Sequence, residues 1–138
     1  MSDLARLHKK VVGTLFPMIG AGLLAGAVIS FASTYQFSQR ALRVEGKVIR
    51  LDAGGAHPVV QIVLPGGKSV EFSTSGWINY AVGDRVAVLY LQDAQYPSGF
   101  KANIDTPGAL WFGESVLTWV GGGFVIGGLY TKYLYKPQ

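Results

Sequence analysis

The chain has 138 residues, a formal net charge of +4 and no cysteine, which excludes disulfides, thiolate catalysis and Cys-ligated zinc and leaves the redox compartment open. The positive charge is not a nucleic-acid signature. It gathers at the two ends (Arg6, Lys9 and Lys10 against Asp3; Lys132 and Lys136 unopposed), while the centre is nearly balanced and carries no basic stripe.

Residues 1–10 form a short basic lead that runs directly into an uncharged apolar block, Val11 to Ala32. That block exceeds the roughly 20 residues needed to cross a hydrocarbon core, so residues 11–34 are expected to form a first transmembrane helix. Pro17 should kink it modestly, as transmembrane helices tolerate. The competing reading is a cleaved signal peptide ending at Ser30-Phe31-Ala32, but a signal's apolar core usually spans only about 7 to 15 residues. Gly22 and Gly26 have the GxxxG spacing that lets a second helix approach closely. Tyr35 and Phe37 then sit where an aromatic belt belongs, with Arg40 and Arg43 on the water side.

From Leu42 the pattern changes to short β-branched runs divided by Gly, Pro and Asp: Leu42 to Asp52, Pro58 to Leu64, Lys68 to Thr74, Arg85 to Gln92 and Lys101 to Asp105. Val70, Phe72 and Thr74 alternate with polar neighbours, and Val86, Val88 and Tyr90 alternate with Arg85, Ala87 and Leu89, so one face of the sheet is apolar. Pro65-Gly66-Gly67 reads as a tight hairpin turn. The longer loop Gly76 to Val82 carries Trp77, Ile78 and Tyr80 and is expected to plug one end of the sheet. Five short strands over residues 40–106 bury one core most simply as a small barrel of OB or SH3 type, with a twisted meander as the structural minimum.

The second apolar block, residues 109–131, opens with Trp111 and Phe112 and closes at Tyr130, ahead of a basic C-terminus at 132–138. Gly123 and Gly127 repeat the GxxxG spacing, and the simplest packing sets the two helices glycine side to glycine side; homo-oligomerisation through either stripe is the alternative. The expected fold is therefore a membrane α+β protein: two transmembrane helices flanking a five-stranded barrel-like domain. Counting Lys and Arg near the spans puts both termini in the cytoplasm and the β domain outside it, although Arg40, Arg43 and Lys101 count the other way.

Candidate chemistry is sparse. Glu114 is an ionisable residue inside a span, read either as an acid tolerated near the helix N-terminus and headgroup water or as a contact to a polar group of the first helix. His8 and His57 have no partner cluster at metal-ligand spacing, so no metal site is expected. No GxSxG elbow, Ser-x-x-Lys pair or phosphate-binding loop appears, so no catalytic residue and no cofactor is expected. Trp77, Tyr80, Tyr96 and Phe100, on two loops, are the candidates for a partner-binding surface; core or membrane-interface roles compete with that reading.

The run Val44-x-Gly46-x-Val48, Pro58-Val59, Val70-x-Phe72, Tyr80-x-Val82-Gly83-Asp84-x-Val86-x-Val88-Leu89-Tyr90, Ala102-Asn103-Ile104-Asp105 and Trp111-Phe112 resembles the DUF3592 membrane proteins over almost the whole chain. That resemblance implies a bacterial envelope protein with a barrel-like insert between two spans and no catalytic residue to carry over. The stretch Gln92 to Phe100 departs from the Asp-Pro-rich pattern usual there, and Val82-Gly83-Asp84 also has a purely structural explanation as a turn. The expected role is a nonenzymatic, membrane-anchored interaction module whose partners are the bilayer and an envelope or incoming toxin protein. An immunity protein against a membrane- or envelope-directed toxin is one concrete form. The alternative is a small accessory subunit of a transporter or channel.

Overall fold

The computed structural model describes residues 3–135. The start of the basic lead (residues 1–2) and residues 136–138 of the basic C-terminus, Lys136 included, lie outside the described residues. In chain order the elements are α1 (Asp3–Arg40), β1 (Leu42–Leu51), β2 (Pro58–Val63), β3 (Ser69–Ser73), β4 (Arg85–Gln92), β5 (Phe100–Ile104), α2 (Pro107–Leu110), α3 (Phe112–Leu129) and a π-helical segment, Tyr130–Leu134. They form two compact units, Met1–Phe31 with Glu114–Gln138, and Ala32–Gly113.

The first unit is an antiparallel helix pair. Its buried positions recur every seven residues: Gly13, Gly20 and Ala27 on α1, and Glu114, Gly121 and Gly128 on α3. A seven-residue repeat keeps one stripe of each helix turned toward its partner, and glycine in that stripe brings the backbones together. A Cβ added to Gly20 would lie 2.6 Å from the Gly121 carbonyl oxygen, and one on Gly128 would run into the Pro17 ring. Pro17 is thus a packing surface as well as an interruption of the α1 ladder. Phe16 and Phe124 add a tilted ring contact with centroids 5.1 Å apart. At the end of the pair, Lys9 Nζ donates to the Tyr135 carbonyl at 3.3 Å, where a cation complements a helix C-terminus.

Helix meets helix through glycine, but through other glycines than those the GxxxG spacing picks out. A Cβ on Gly22, Gly26, Gly123 or Gly127 would meet nothing within 4 Å. Two residues turn a helix by about 200°, so Gly22 points away from the face that Gly20 occupies.

The second unit is one curled antiparallel sheet of order β3-β2-β1-β4-β5. β1 is shared between its halves: residues 42–47 pair with β4 and residues 46–51 with β2, with a register shift between Val48 and Arg50. The bulge at that shift sharpens the local twist and curls the sheet. Where the two pairings overlap stands Gly46, and a Cβ there would come within 2.6 Å of Val60 and 2.8 Å of Val88. The core lies over it, with Val48, Val60, Val88 and Ile104 at 0% exposure and Ile62 at 1%. Each such side chain contributes about 1.5–3 kcal/mol by leaving water.

The sheet is a half-barrel, which corrects the expectation of a closed one. Closure would require β3 to pair with β5; instead those edges are joined by side chains and by the segments that follow them. Thr74 Oγ1 donates to Asn103 Oδ1 at 2.7 Å, Asn103 Nδ2 donates to the Ala109 carbonyl at 3.2 Å, and Trp77 N–H donates to the Gly108 carbonyl at 2.9 Å. Gly66 and Gly67 adopt φ of 103° and 85° in the β2–β3 turn, the conformation glycine accepts at least cost. Gly83 does the same at 95° before β4, where its N–H bonds Val48 O and Asp84 Oδ2 caps the Ala81 N–H. The Val82-Gly83-Asp84 motif is therefore a turn that ties β4 to β1.

Candidate partner-binding surface

The four aromatic candidates occupy different environments. Phe100 stacks on Tyr90, with centroids 5.5 Å apart, and with Tyr80 it packs against the core of the half-barrel. Both take the core role that competes with a surface contact: each packs on the apolar face that the curl encloses. Tyr80 is fixed further by its N–H bond to the Gly55 carbonyl, so its loop crosses to the β1–β2 connection.

Tyr96 is half-buried, and Lys101 Nζ stands 5.9 Å from its ring and 4.7 Å from that of Phe37. A lysine between two aromatic faces gains cation–π attraction while its stem covers them. Phe37 is 2% exposed. It is part of the core of the second unit, not the aromatic belt residue that its place in sequence indicated, whereas Tyr35 remains exposed. The helical turns after residue 31 hence act as a sixth packing element of the β unit.

Trp77 alone of the four presents most of its side chain outward, at 66% exposure, with its ring centroid 6.3 Å from that of Phe112 in an edge-type arrangement. Residues 72–83 around it carry no charge. Charges on the sheet are instead largely engaged: Arg43 with Asp105 at 2.7 Å, Arg50 with Asp52 at 2.9 Å, Arg85 with Glu45 at 3.4 Å. The hydrogen bond and charge of Asp52 raise the Arg50 guanidinium above its ordinary value, so it stays cationic at any physiological pH.

Asp52, His57, Ser73 and Thr74 line a polar depression of about 240 Å³. Its inventory invites a Ser-His-Asp reading, but the Asp52 carboxylate accepts from Arg50 at 2.9 Å and from Ser73 at 3.5 Å. A carboxylate held that way is not set to orient a histidine for a serine. Among the described residues no group of three or more His, Asp or Glu is placed to hold a metal ion.

In the helical unit, Glu114 is 8% exposed and accepts a 2.8 Å hydrogen bond from Ser30 Oγ. It therefore contacts a polar group of the first helix, the alternative to an acid resting in headgroup water. Sequence reasoning named Glu114 but missed Ser30; the seven-residue spacing through Gly121 and Gly128 was the available signal, because it puts Glu114 on the helix-contact stripe.

No family model and no solved structure matches the chain. An alignment of 108 residues at 34% identity relates it to Immune protein Tsi4 of Pseudomonas aeruginosa, covering 78% of this chain and 72% of that protein.

Proposed function

Because the chain belongs to the family of Immune protein Tsi4 of Pseudomonas aeruginosa, we propose that it is a nonenzymatic, membrane-anchored immunity protein that binds and neutralises a secreted toxin at the bacterial inner membrane. The family relationship carries this reading. Two features are consistent with it. The β unit presents a curled sheet over one apolar core, with three ion pairs on its surface and no cluster of groups set up for catalysis among the described residues. The helices Asp3–Arg40 and Phe112–Leu134 are long and apolar enough to cross a membrane by length and composition. Outward residues of the helical unit, Met18, Ile29, Trp119 and Ile126, are 66–76% exposed, which suits a lipid surround better than water.

The proposed topology keeps both termini in the cytoplasm and the β unit outside. Of the three cations that count the other way, Arg43 bridges to Asp105 and Lys101 lies over Phe37, so two of them also have roles within the β unit. The transporter-subunit reading drew on Glu114, and the Ser30 bond gives that residue an intramolecular role.

The test is competition between sister cells. A strain lacking this chain, grown in contact with its toxin-secreting parent, is expected to be outcompeted, and the intact chain supplied in trans should restore parity. Equal fitness of the deleted strain under contact, with toxin secretion verified, would overturn the immunity reading. Labelling of Ser75→Cys and Ser98→Cys by an impermeant maleimide in intact cells tests the topology separately; protection of both sites would reverse it.

A further inference from the structure

Trp77 is set apart from the other aromatic side chains of the β unit by three observations. Its indole is 66% exposed, so it contributes little to the core. Its backbone is nevertheless fixed, because Trp77 N–H bonds the Gly108 carbonyl at 2.9 Å and the backbones at Gly76 and Gly108 approach so closely that neither position has room for a Cβ. Its ring lies at a 63° angle to that of Phe112, the first residue of α3, with centroids 6.3 Å apart. An exposed indole on an immobilised loop is a placed side chain, and what it is placed beside is the entry to an apolar helix.

The surrounding chain has the composition such a position needs. Between Glu71 and Asp84 there is no charged residue, so bringing this loop to a bilayer surface desolvates no ion. Ser75 and Asn79 flank the indole as exposed polar residues. Tryptophan joins a broad apolar ring to one N–H donor, and this pairing favours the layer between headgroups and acyl chains.

We propose that Trp77 is a lipid-interface contact, sharing the headgroup layer with Trp111 and Phe112 and tethering the β3–β4 loop to the membrane. This rests on the membrane reading of α3, and it deepens that reading by assigning the most exposed aromatic of the loop to lipid and not to the toxin. A partner-contact role for Trp77 is the outcome the test must separate from it.

The full chain is reconstituted in phosphatidylethanolamine and phosphatidylglycerol vesicles as two single-tryptophan forms, one keeping Trp77 (Trp111→Phe, Trp119→Phe) and one keeping Trp119 (Trp77→Phe, Trp111→Phe). Emission is read with lipids brominated near the headgroup, with lipids brominated near the chain end, and with aqueous iodide. The proposal expects Trp77 to lose emission most to the shallow bromines, and Trp119 to lose it to the deeper ones with protection from iodide. Quenching of Trp77 by iodide but by neither lipid, with Trp119 still quenched by lipid, overturns the proposal and leaves the membrane reading standing. Absence of lipid quenching at both overturns the two together. Should the double substitutions disturb folding, Trp77→Cys in this cysteine-free chain carries a nitroxide whose collision with oxygen over aqueous nickel reports the same depth; preference for nickel would again overturn the assignment.

Discussion

Ser30 Oγ donates to Glu114 Oε1 at 2.8 Å, joining residues 84 positions apart across the helix pair. The bond occupies the same seven-residue stripe as the glycine contacts, so a polar group takes the place that a third glycine would fill. Inside an apolar pair a bonded carboxyl fixes which faces meet, because other rotations of the two helices would leave it without Ser30.

Glu114→Gln keeps an acceptor oxygen for Ser30 and is expected to retain most of the stability of the pair. Glu114→Val and Ser30→Ala each remove one side of the bond. If the pair lies in a membrane as proposed, a double-mutant cycle on the full chain unfolded in detergent micelles should return a coupling of about 0.6 kcal/mol and at most about 1.7 kcal/mol, the mean and maximum of such interhelical hydrogen bonds. A coupling near zero would mean the bond adds nothing to the pairing.

The glycines divide into two groups with opposite expected tolerance. Gly20→Val should destabilise the helix pair strongly, because its Cβ would meet the Gly121 carbonyl oxygen at 2.6 Å and the Val125 nitrogen at 2.8 Å, both main chain; Gly121→Val should cost less, because its Cβ meets the Gly20 carbonyl oxygen, Leu23 and Leu24 all at 3.1 Å. Gly22→Ala, Gly26→Ala, Gly123→Ala and Gly127→Ala meet nothing within 4 Å and should leave the pair as stable or raise its stability by up to about 1 kcal/mol, the helix-propensity gain of alanine over glycine. Thermal unfolding of the six variants in one detergent ranks them; an inverted order would contradict the seven-residue stripe.

Gly46 tests the curl of the sheet. Its missing side chain is what lets Val60, Ile62 and Val88 close over the strand that pairs on both sides. Gly46→Ala is expected to cost about 1–3 kcal/mol through overpacking, and Gly46→Val more. Denaturant unfolding of the full chain followed by near-ultraviolet circular dichroism checks it. Full stability of Gly46→Val would show that the core is looser than the fully buried Val60 and Val88 imply.

Strand positions, the Pro65-Gly66-Gly67 turn and the two apolar runs are readable from sequence because each follows from a local period or from a residue's own backbone preference. Which glycines pack is not, because a GxxxG spacing defines a stripe on one helix and says nothing of the azimuth at which its partner lies. The repeats Gly13-to-Gly20 and Gly121-to-Gly128 carry that information only when both helices are read together. Phe37 misleads for a related reason: an aromatic after an apolar run suits a membrane belt, and only the tertiary position of Lys101 and Tyr96 shows it buried. The open sheet escaped too, since strand count is local while the failure of β3 to reach β5 is not. Of the candidate surface, Trp77 was legible as an aromatic on a loop, but its separation from Tyr80 and Phe100 depends on which side of the curl each side chain takes.

The Thr106 hydroxyl supplies the last prediction. Thr106 precedes α2 at the position where threonine normally caps a helix, yet its side chain makes no capping bond, and Oγ1 is buried without a hydrogen-bond partner. A buried hydroxyl in that state costs stability, whereas the cap it would ordinarily provide is not being made. Thr106→Val keeps the β-branched shape and the extended backbone recorded at φ −136° and ψ 148°, and it removes the unsatisfied oxygen. The variant should therefore be at least as stable as the parent, by up to about 1 kcal/mol in its favour. Denaturant midpoints of the two full chains, measured side by side, decide the sign. A loss of about 1 kcal/mol, the usual cost of deleting a working cap, would show that the hydroxyl does satisfy the start of α2 in solution.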